Sequence, residues 1–254
     1  MFLWTRGRIT LLILSIDTSC ATAGVSLTKD GIVISEISVK DKNTHSVKLM
    51  PAIEMLFKNV VMSVSDIDAV AVVNGPGSYT GLRIGVSAAK AIAYSADVPV
   101  IGVNTLDYLA KSAFTIGDEY VCSVIDARNT HVYYGLYKST IVNGKRVLSL
   151  IDDYGAMPSE ELCQKIKAFE AGKIVFVGDG VLANREIYSD LLGDCYVEVD
   201  NGLMLGRISQ AAAIAEEIYL KEKDLKKFTA TELDVYYLRT PRISTPKNKN
   251  TAEG

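Results

Sequence analysis

Asn74-Gly75-Pro76-Gly77-Ser78-Tyr79-Thr80-Gly81-Leu82-Arg83-Ile84-Gly85 lies between two segments of opposite character. Before it, Ala69 to Val73 is an unbroken apolar run, as a buried strand requires. After it, Thr80 to Ala96 has helical spacing, with Arg83, Ser87, Lys90 and Tyr94 on one narrow polar strip and small or aliphatic residues elsewhere. The Asn-Gly-Pro-Gly segment is a turn signal. Strand, glycine turn and helix together form the repeating unit of an α/β fold. Backbone amides at such a turn can hold an anion. The lysine of a phosphate-binding GxxxxGK(S/T) loop is missing, so the turn reads as a rigid launch for the helix.

Upstream, Ile9 to Ile16 is expected to be a buried strand, Thr22 to Leu27 a second and Ile32 to Val39 a third, the last two joined by a hairpin turn at Asp30-Gly31. Thr44 or His45 to Val61 reads as a helix. Downstream, Val98 to Val103 is a strand and Thr105 to Phe114 a helix. The plan then restarts. Tyr120 to Asp126, His131 to Tyr137 and Arg146 to Ile151 read as strands, the last two joined by Asn143-Gly144. A helix from Pro158-Ser159-Glu160 to Phe169 follows, then a strand from Ile174 to Val177, a helix from Val181 to Leu191, a short strand from Tyr196 to Val199 and a helix from Leu203 to Leu220. Two similar α/β subdomains with mixed sheets and a cleft between them are expected, over residues 9–115 and 116–239. Residues 240–254 are polar and read as a disordered tail, and residues 1–8 as an extension before the first strand.

Composition narrows the function. The net charge of -3 does not suggest a protein that grips nucleic acid by itself, because phosphate contacts call for a basic surface. Arg239, Arg242, Lys247 and Lys249 read as a solvated tail. Cys20, Cys122, Cys163 and Cys195 show no CxxC spacing and read as reduced thiols of a cytoplasmic protein. His45 and His131 have no ligand neighbour at i+3 or i+4, so no metal site is expected. The apolar run Ile9 to Ile16 is too short for a membrane span and lacks a cleavage site after it.

Three stretches carry a resemblance: Leu14-Ser15-Ile16-Asp17-Thr18-Ser19, the glycine-rich stretch from Asn74 to Gly85, and Gly102-Val103-Asn104-Thr105-Leu106. In this order they resemble the TsaB (YeaZ) family, well over roughly Ile13 to Ala110 and loosely beyond. The resemblance implies an actin-like ATPase (ASKHA) fold and a role supporting a TsaD-type catalytic paralogue in making threonylcarbamoyladenosine (t6A) on tRNA.

The departures from that paralogue are informative. Its first loop is of the type I-E-T-S-C-D-E-T, whereas here Cys20 is followed by Ala21 and Thr22. Carboxylates there would hold a divalent ion or a water against phosphate, which these two residues cannot do. Its H-x-x-x-H pair, which puts two imidazoles on one helix face, is replaced by Thr105 and Leu109. Gly178-Asp179-Gly180-Val181 through Asn184 falls where such folds place a second phosphate loop, but reads here as an ordinary strand-to-helix turn, as does Asp200-Asn201-Gly202. Asp17 is expected to cap the amides of its own turn and Cys20 to be a structural thiol. No catalytic residue, cofactor or metal ligand is assigned.

The two helices of the first half have more apolar surface than one sheet can cover. Either they bury each other or they form an association face. The resemblance favours association, which assigns Leu49, Met50, Ile53, Leu56, Phe57, Val60, Ile84, Ala88 and Ile92 to a partner interface. The expected partners are the TsaD-type paralogue, a TsaE-type ATPase in the same complex and a second copy of the chain when alone, with no membrane contact and only indirect tRNA contact. The competing readings are an ATP-dependent phosphotransferase, which needs the missing acids, and a metalloprotease, which needs missing histidines.

Overall fold

The computed structural model describes residues 10–40, 45–113, 120–169 and 172–238. The first half runs β1 (Leu12–Asp17), β2 (Thr22–Lys29), β3 (Ile32–Lys40), α1 (His45–Val60), β4 (Ala69–Gly75), α2 (Tyr79–Ala96), β5 (Val100–Asn104) and α3 (Thr105–Ser112). The second runs β6 (Tyr120–Asp126), β7 (His131–Val142), β8 (Lys145–Leu150), β9 (Gly155–Pro158), α4 (Ser159–Ala168), β10 (Ile174–Val177), α5 (Asp179–Leu192), β11 (Tyr196–Glu198) and α6 (Ser209–Lys221).

The sheets share one layout. The first has strand order β3-β2-β1-β4-β5 and the second β8-β7-β6-β10-β11, with β9 added beside β7. In each, the first three strands form an antiparallel meander and the last two run parallel to the first. The structure therefore bears out two copies of one mixed-sheet plan. The expected boundary near residue 115, the extension at 1–8 and the tail at 240–254 lie outside the described residues.

Strand alternation divides the core. Leu12, Leu14, Ile16, Val70 and Val72 face α1 and α2, whereas Leu11, Ile13, Ala69, Ala71 and Val73 lie on the opposite face, which α3 and α6 cover. On that inner face α6 presents Ala211, Ala212 and Ala215, all buried. Small residues on both sides let the helix lie close to the sheet. The halves also exchange helices: α3 packs on β6 and β7, and α6 on β1, β2, β4 and β5.

Three elements differ from the sequence reading. β7 continues past Tyr137 to Val142, because the turn at Asn143 (φ 52°) and Gly144 (φ 73°) ends it. β9 is an extra four-residue strand, too short and too close to a proline for periodicity to reveal. α6 starts at Ser209 rather than Leu203, since Gly206 is left-handed (φ 72°) and breaks the helix.

Candidate functional site

The central strands of the two sheets, β1 and β6, end in Asp17 and Asp126. Asp17 closes β1 and is buried. Its Oδ1 accepts from the Ser19 amide at 2.7 Å and its Oδ2 from the Tyr108 hydroxyl at 2.5 Å. Thr18 Oγ1 donates to the Gly81 carbonyl at 2.6 Å, and the Ser78 amide donates to the Ser19 carbonyl at 2.6 Å. A Cβ at Gly81 would stand 2.0 Å from the Thr18 carbonyl oxygen, and one at Gly85 2.4 Å from Thr18 Oγ1. The glycines of the opening stretch thus let the first turns of α2 rest directly on the turn after β1. Asp17 caps that turn, as the sequence reading expected.

Duplication gives the second half its equivalents. Gly75 ends β4 and Gly178 follows β10, and both hold a positive φ, 130° and 114°. The counterpart of the β1–β2 turn is the β6–β7 turn, residues 127–130, where Arg128, Asn129 and Thr130 are all left-handed. Gly178 to Val181 forms the turn from β10 into α5, the ordinary strand-to-helix turn that the sequence reading favoured. Asn184 instead kinks α5: its side-chain amide donates to the Gly180 carbonyl at 3.0 Å, in place of regular helix geometry.

Carboxylates stand at the ends of β1, β6 and β10. Asp179, in the first turn of α5, accepts from the Asp126 amide at 3.0 Å, and Asp126 accepts from the Arg128 amide at 2.8 Å. A helix N-terminus that could attract an anion is therefore already beside a carboxylate of its own chain. Burial, and then the charges of Asp179 and Asp17, push the Cys20 thiol well above its usual range, the opposite of nucleophile activation. Thr105 and Leu109, at the two positions of the paralogue's histidines, are buried in the core. No group of three metal-ligating side chains occurs among the described residues.

Sequence reasoning missed a strap formed by residues 228–237. The Val100 amide donates to the Phe228 carbonyl at 2.9 Å, the Asn74 side chain to the Asp234 carbonyl at 3.0 Å, and the Tyr236 amide to the Asn74 carbonyl at 2.8 Å. A Cβ at Gly75 would fall 2.2 Å from the Tyr236 carbonyl oxygen, and one at Gly102 2.9 Å from Leu233. The strap ends where Tyr237 stacks on Tyr79 (5.3 Å) and accepts from Arg83 Nε at 3.1 Å. Asn74, Gly75 and Gly102 therefore serve the return of the chain.

The helices α1 and α2 require a correction of the expected interface. Leu49, Ile53, Leu56, Phe57 and Ile92 are buried in the chain's own core. Val60, Ile84 and Ala88 are half-buried against the same cluster, and Met50 alone of the nine is exposed, at 53%. The wide apolar arc of α1 is consumed because it packs against β2, β3 and α2 together. Beside Met50, the exposed residues there are ones the sequence did not single out for the interface: Val47, Met55 and Val61 on or just after α1, and Tyr94 on α2. Beside them a groove of about 750 Å³ runs past Met50, Phe57, Val61 and Met62.

Two copies of one mixed-sheet plan, each with three antiparallel strands followed by two parallel ones, define an α/β protein of the actin-like ATPase fold. A family profile described as "TsaD: tRNA N6-adenosine threonylcarbamoyltransferase" matches residues 32–240. "tRNA threonylcarbamoyladenosine biosynthesis protein TsaB" of Bacillus subtilis is 35% identical over 72% of this chain and 77% of its own length. The protein of the same description from Haemophilus influenzae is 29% identical over 90% and 94%. A crystal structure from Pseudomonas aeruginosa, described as an uncharacterized protein with similarity to peptidase YEAZ, superposes with a TM-score of 0.73 at 24% identity, over 90% of this chain and all of that one. The chain belongs to the TsaB (YeaZ) family. No helix among the described residues is long and apolar enough to cross a membrane.

Proposed function

We propose that this chain acts in t6A biosynthesis on tRNA as a non-catalytic partner subunit of a TsaD-type enzyme in the cytoplasm. The observation that carries the reading is the state of the first loop. Asp17, Thr18 and Ser19 are engaged within the chain by Tyr108, Gly81 and Ser78, and Ala21 and Thr22 stand where the paralogue carries acids. The descriptions of the Bacillus and Haemophilus relatives support the pathway. The exposed apolar residues Val47, Met50, Met55, Val61 and Tyr94 support a docking face on the outer side of α1 and α2. The catalytic paralogue is its occupant in the complex, with a TsaE-type ATPase joining and tRNA held mainly by the other subunits. A second copy of the chain takes the same face when the paralogue is absent.

The test is reconstitution. The purified chain alone should form no t6A from threonine, bicarbonate, ATP and tRNA, and should show no tight ATP–magnesium binding by calorimetry. Co-purification with the TsaD-type protein should be lost in Met50→Asp and Val61→Asp variants that melt like the wild type. Product from the chain alone would sink the non-catalytic reading. Retained pairing in both variants would move the docking face elsewhere.

A further inference from the structure

A second cavity, of about 620 Å³, lies between α3, α6 and the edge strand β8. None of its lining residues belongs to the turns after β1 and β6 or to the outer face of α1, so neither the family motifs nor the docking face accounts for it. Both halves build it: α3 gives Asp107 and Lys111, and the second sheet gives Tyr137 and Lys145. Its size falls in the range of small-molecule pockets, ~300–1,000 Å³.

Asp107 is the centre of the cavity's chemistry. The hydroxyls of Tyr137 and Tyr154 both donate to its Oδ1 at 2.8 Å. Among the described residues no side chain donates to its Oδ2. Burial raises this carboxyl above its ordinary value, and the two phenols offset only part of that effect. A carboxylate fixed through one oxygen, half-buried and open on the other, is complemented by a ligand that brings positive charge and protons to donate. An ammonium group has both.

The rest of the wall has the opposite sign. Lys111 pairs with Glu217 at 2.6 Å, and Lys221 reaches the same carboxylate at 3.8 Å, leaving this trio with a net positive charge. Lys145 forms no ion pair among the described residues. Between the charged ends, Leu148 and Ile214 supply aliphatic surface. Asp107 and Lys111 are four residues apart on one helix and so share a face, roughly 5–6 Å apart at Cβ. That separation suits the two ends of a small zwitterion.

We propose that this cavity binds a free aliphatic α-amino acid. Its ammonium group donates to Asp107 Oδ2, its carboxylate lies by Lys111 and Lys145, and its side chain packs on Leu148 and Ile214. Because the cavity is walled by both halves, the ligand bridges them.

The test uses the full chain and three probes of one shape. L-leucine carries both charged ends, L-leucinamide lacks the carboxylate and 4-methylpentanoate lacks the ammonium. Binding is read by NMR from the ring signals of Tyr137 and Tyr154. L-leucine should shift both saturably, and each truncated probe should bind at least tenfold more weakly. Asp107→Asn keeps an acceptor for the phenols and so a folded site, yet should lose at least tenfold in leucine affinity. Lys145→Ala should weaken leucine and leave leucinamide unchanged. The proposal fails if neither L-leucine nor L-isoleucine shifts the two rings by about 10 mM, beyond which affinity is weaker than ~3 kcal/mol. It also fails if 4-methylpentanoate matches leucine or if folded Asp107→Asn binds as the wild type does.

Discussion

The Tyr108 hydroxyl on α3 meets Asp17 Oδ2 at the end of β1 at 2.5 Å, and both side chains are buried. Since α3 packs on β4 and β5 of the first sheet and on β6 and β7 of the second, this bond ties the end of β1 to the helix that lies between the two sheets. Hydrogen bonds to a charged partner contribute about 1.5–3 kcal/mol. Tyr108→Phe should therefore lower unfolding free energy by about that amount, measured by urea denaturation. A loss under ~0.5 kcal/mol would show the contact to be incidental.

Phe57 and Met50 lie on the same helix but in different surroundings. Phe57→Ala should cost about 3–5 kcal/mol of folding stability, since it empties part of the core. Met50→Ala should stay within about 0.5 kcal/mol of the wild type in folding, because the side chain is largely exposed. If Met50 anchors the partner, its truncation should still cost about 1–2 kcal/mol of binding. Melting temperature and partner affinity, measured together on both variants, separate the two roles.

Gly178→Ala and Gly75→Ala should each destabilise by more than about 2 kcal/mol, because both positions combine positive φ with a backbone oxygen in the way of a Cβ. Gly172→Ala is the control, as nothing stands within 4 Å there. Hydrogen exchange should add a distinction. In Gly75→Ala the Val100 and Tyr236 amides should lose protection as the strap lifts, and in Gly178→Ala they should keep it.

Asp107→Asn should make the free protein more stable at pH 7. The carboxyl of Asp107 is raised, chiefly by burial, so the folded state prefers it protonated. Its charge therefore costs stability above the folded-state value, and stability recovers as pH falls through that value toward the ordinary range near ~4. The advantage of the variant should shrink over the same interval in unfolding experiments run from pH 7 downward. An advantage that does not change with pH would mean that packing, not ionisation, is responsible.

Glu198 should behave in the opposite sense. Arg185 donates to it at 2.6 and 2.7 Å and, with a further bond from Tyr196, holds its carboxyl below the ordinary range. A depressed carboxyl contributes stability above its unfolded value and loses it as pH falls through the folded one. Arg185→Met should thus be less stable than the wild type at neutral pH, with the difference vanishing under acid conditions. Parallel stability curves down to about pH 3 would refute the assignment.

The elements of this fold were legible where local pattern decides them. The strand before Asn74, the helix after Ser78 and the restart at Tyr120 all follow from periodicity and turn residues. What stayed hidden depends on neighbours distant in sequence. The apolar arc of α1 gave no sign that β2, β3 and α2 would divide it among themselves, so Leu49 and Phe57 looked available for a partner. Asp17 was readable as a cap for its own turn, but Tyr108 as its second partner was not, because 91 positions separate them. The glycines at 75 and 102 looked like turn and strand residues, whereas their lack of a side chain makes room for Tyr236 and Leu233.

The strap also orders the life of the chain. Asn74 finds its partner carbonyl 160 positions later, so β5 and the loop before α2 leave the ribosome with an open edge and wait for Asp234 to be made. Until then, the exposed amide of Val100 and the shelf at Gly75 are open to other extended segments, including those of neighbouring nascent chains. A stop codon between Lys227 and Tyr236 would leave all eleven of the described strands encoded and still release a protein whose first sheet is unfinished.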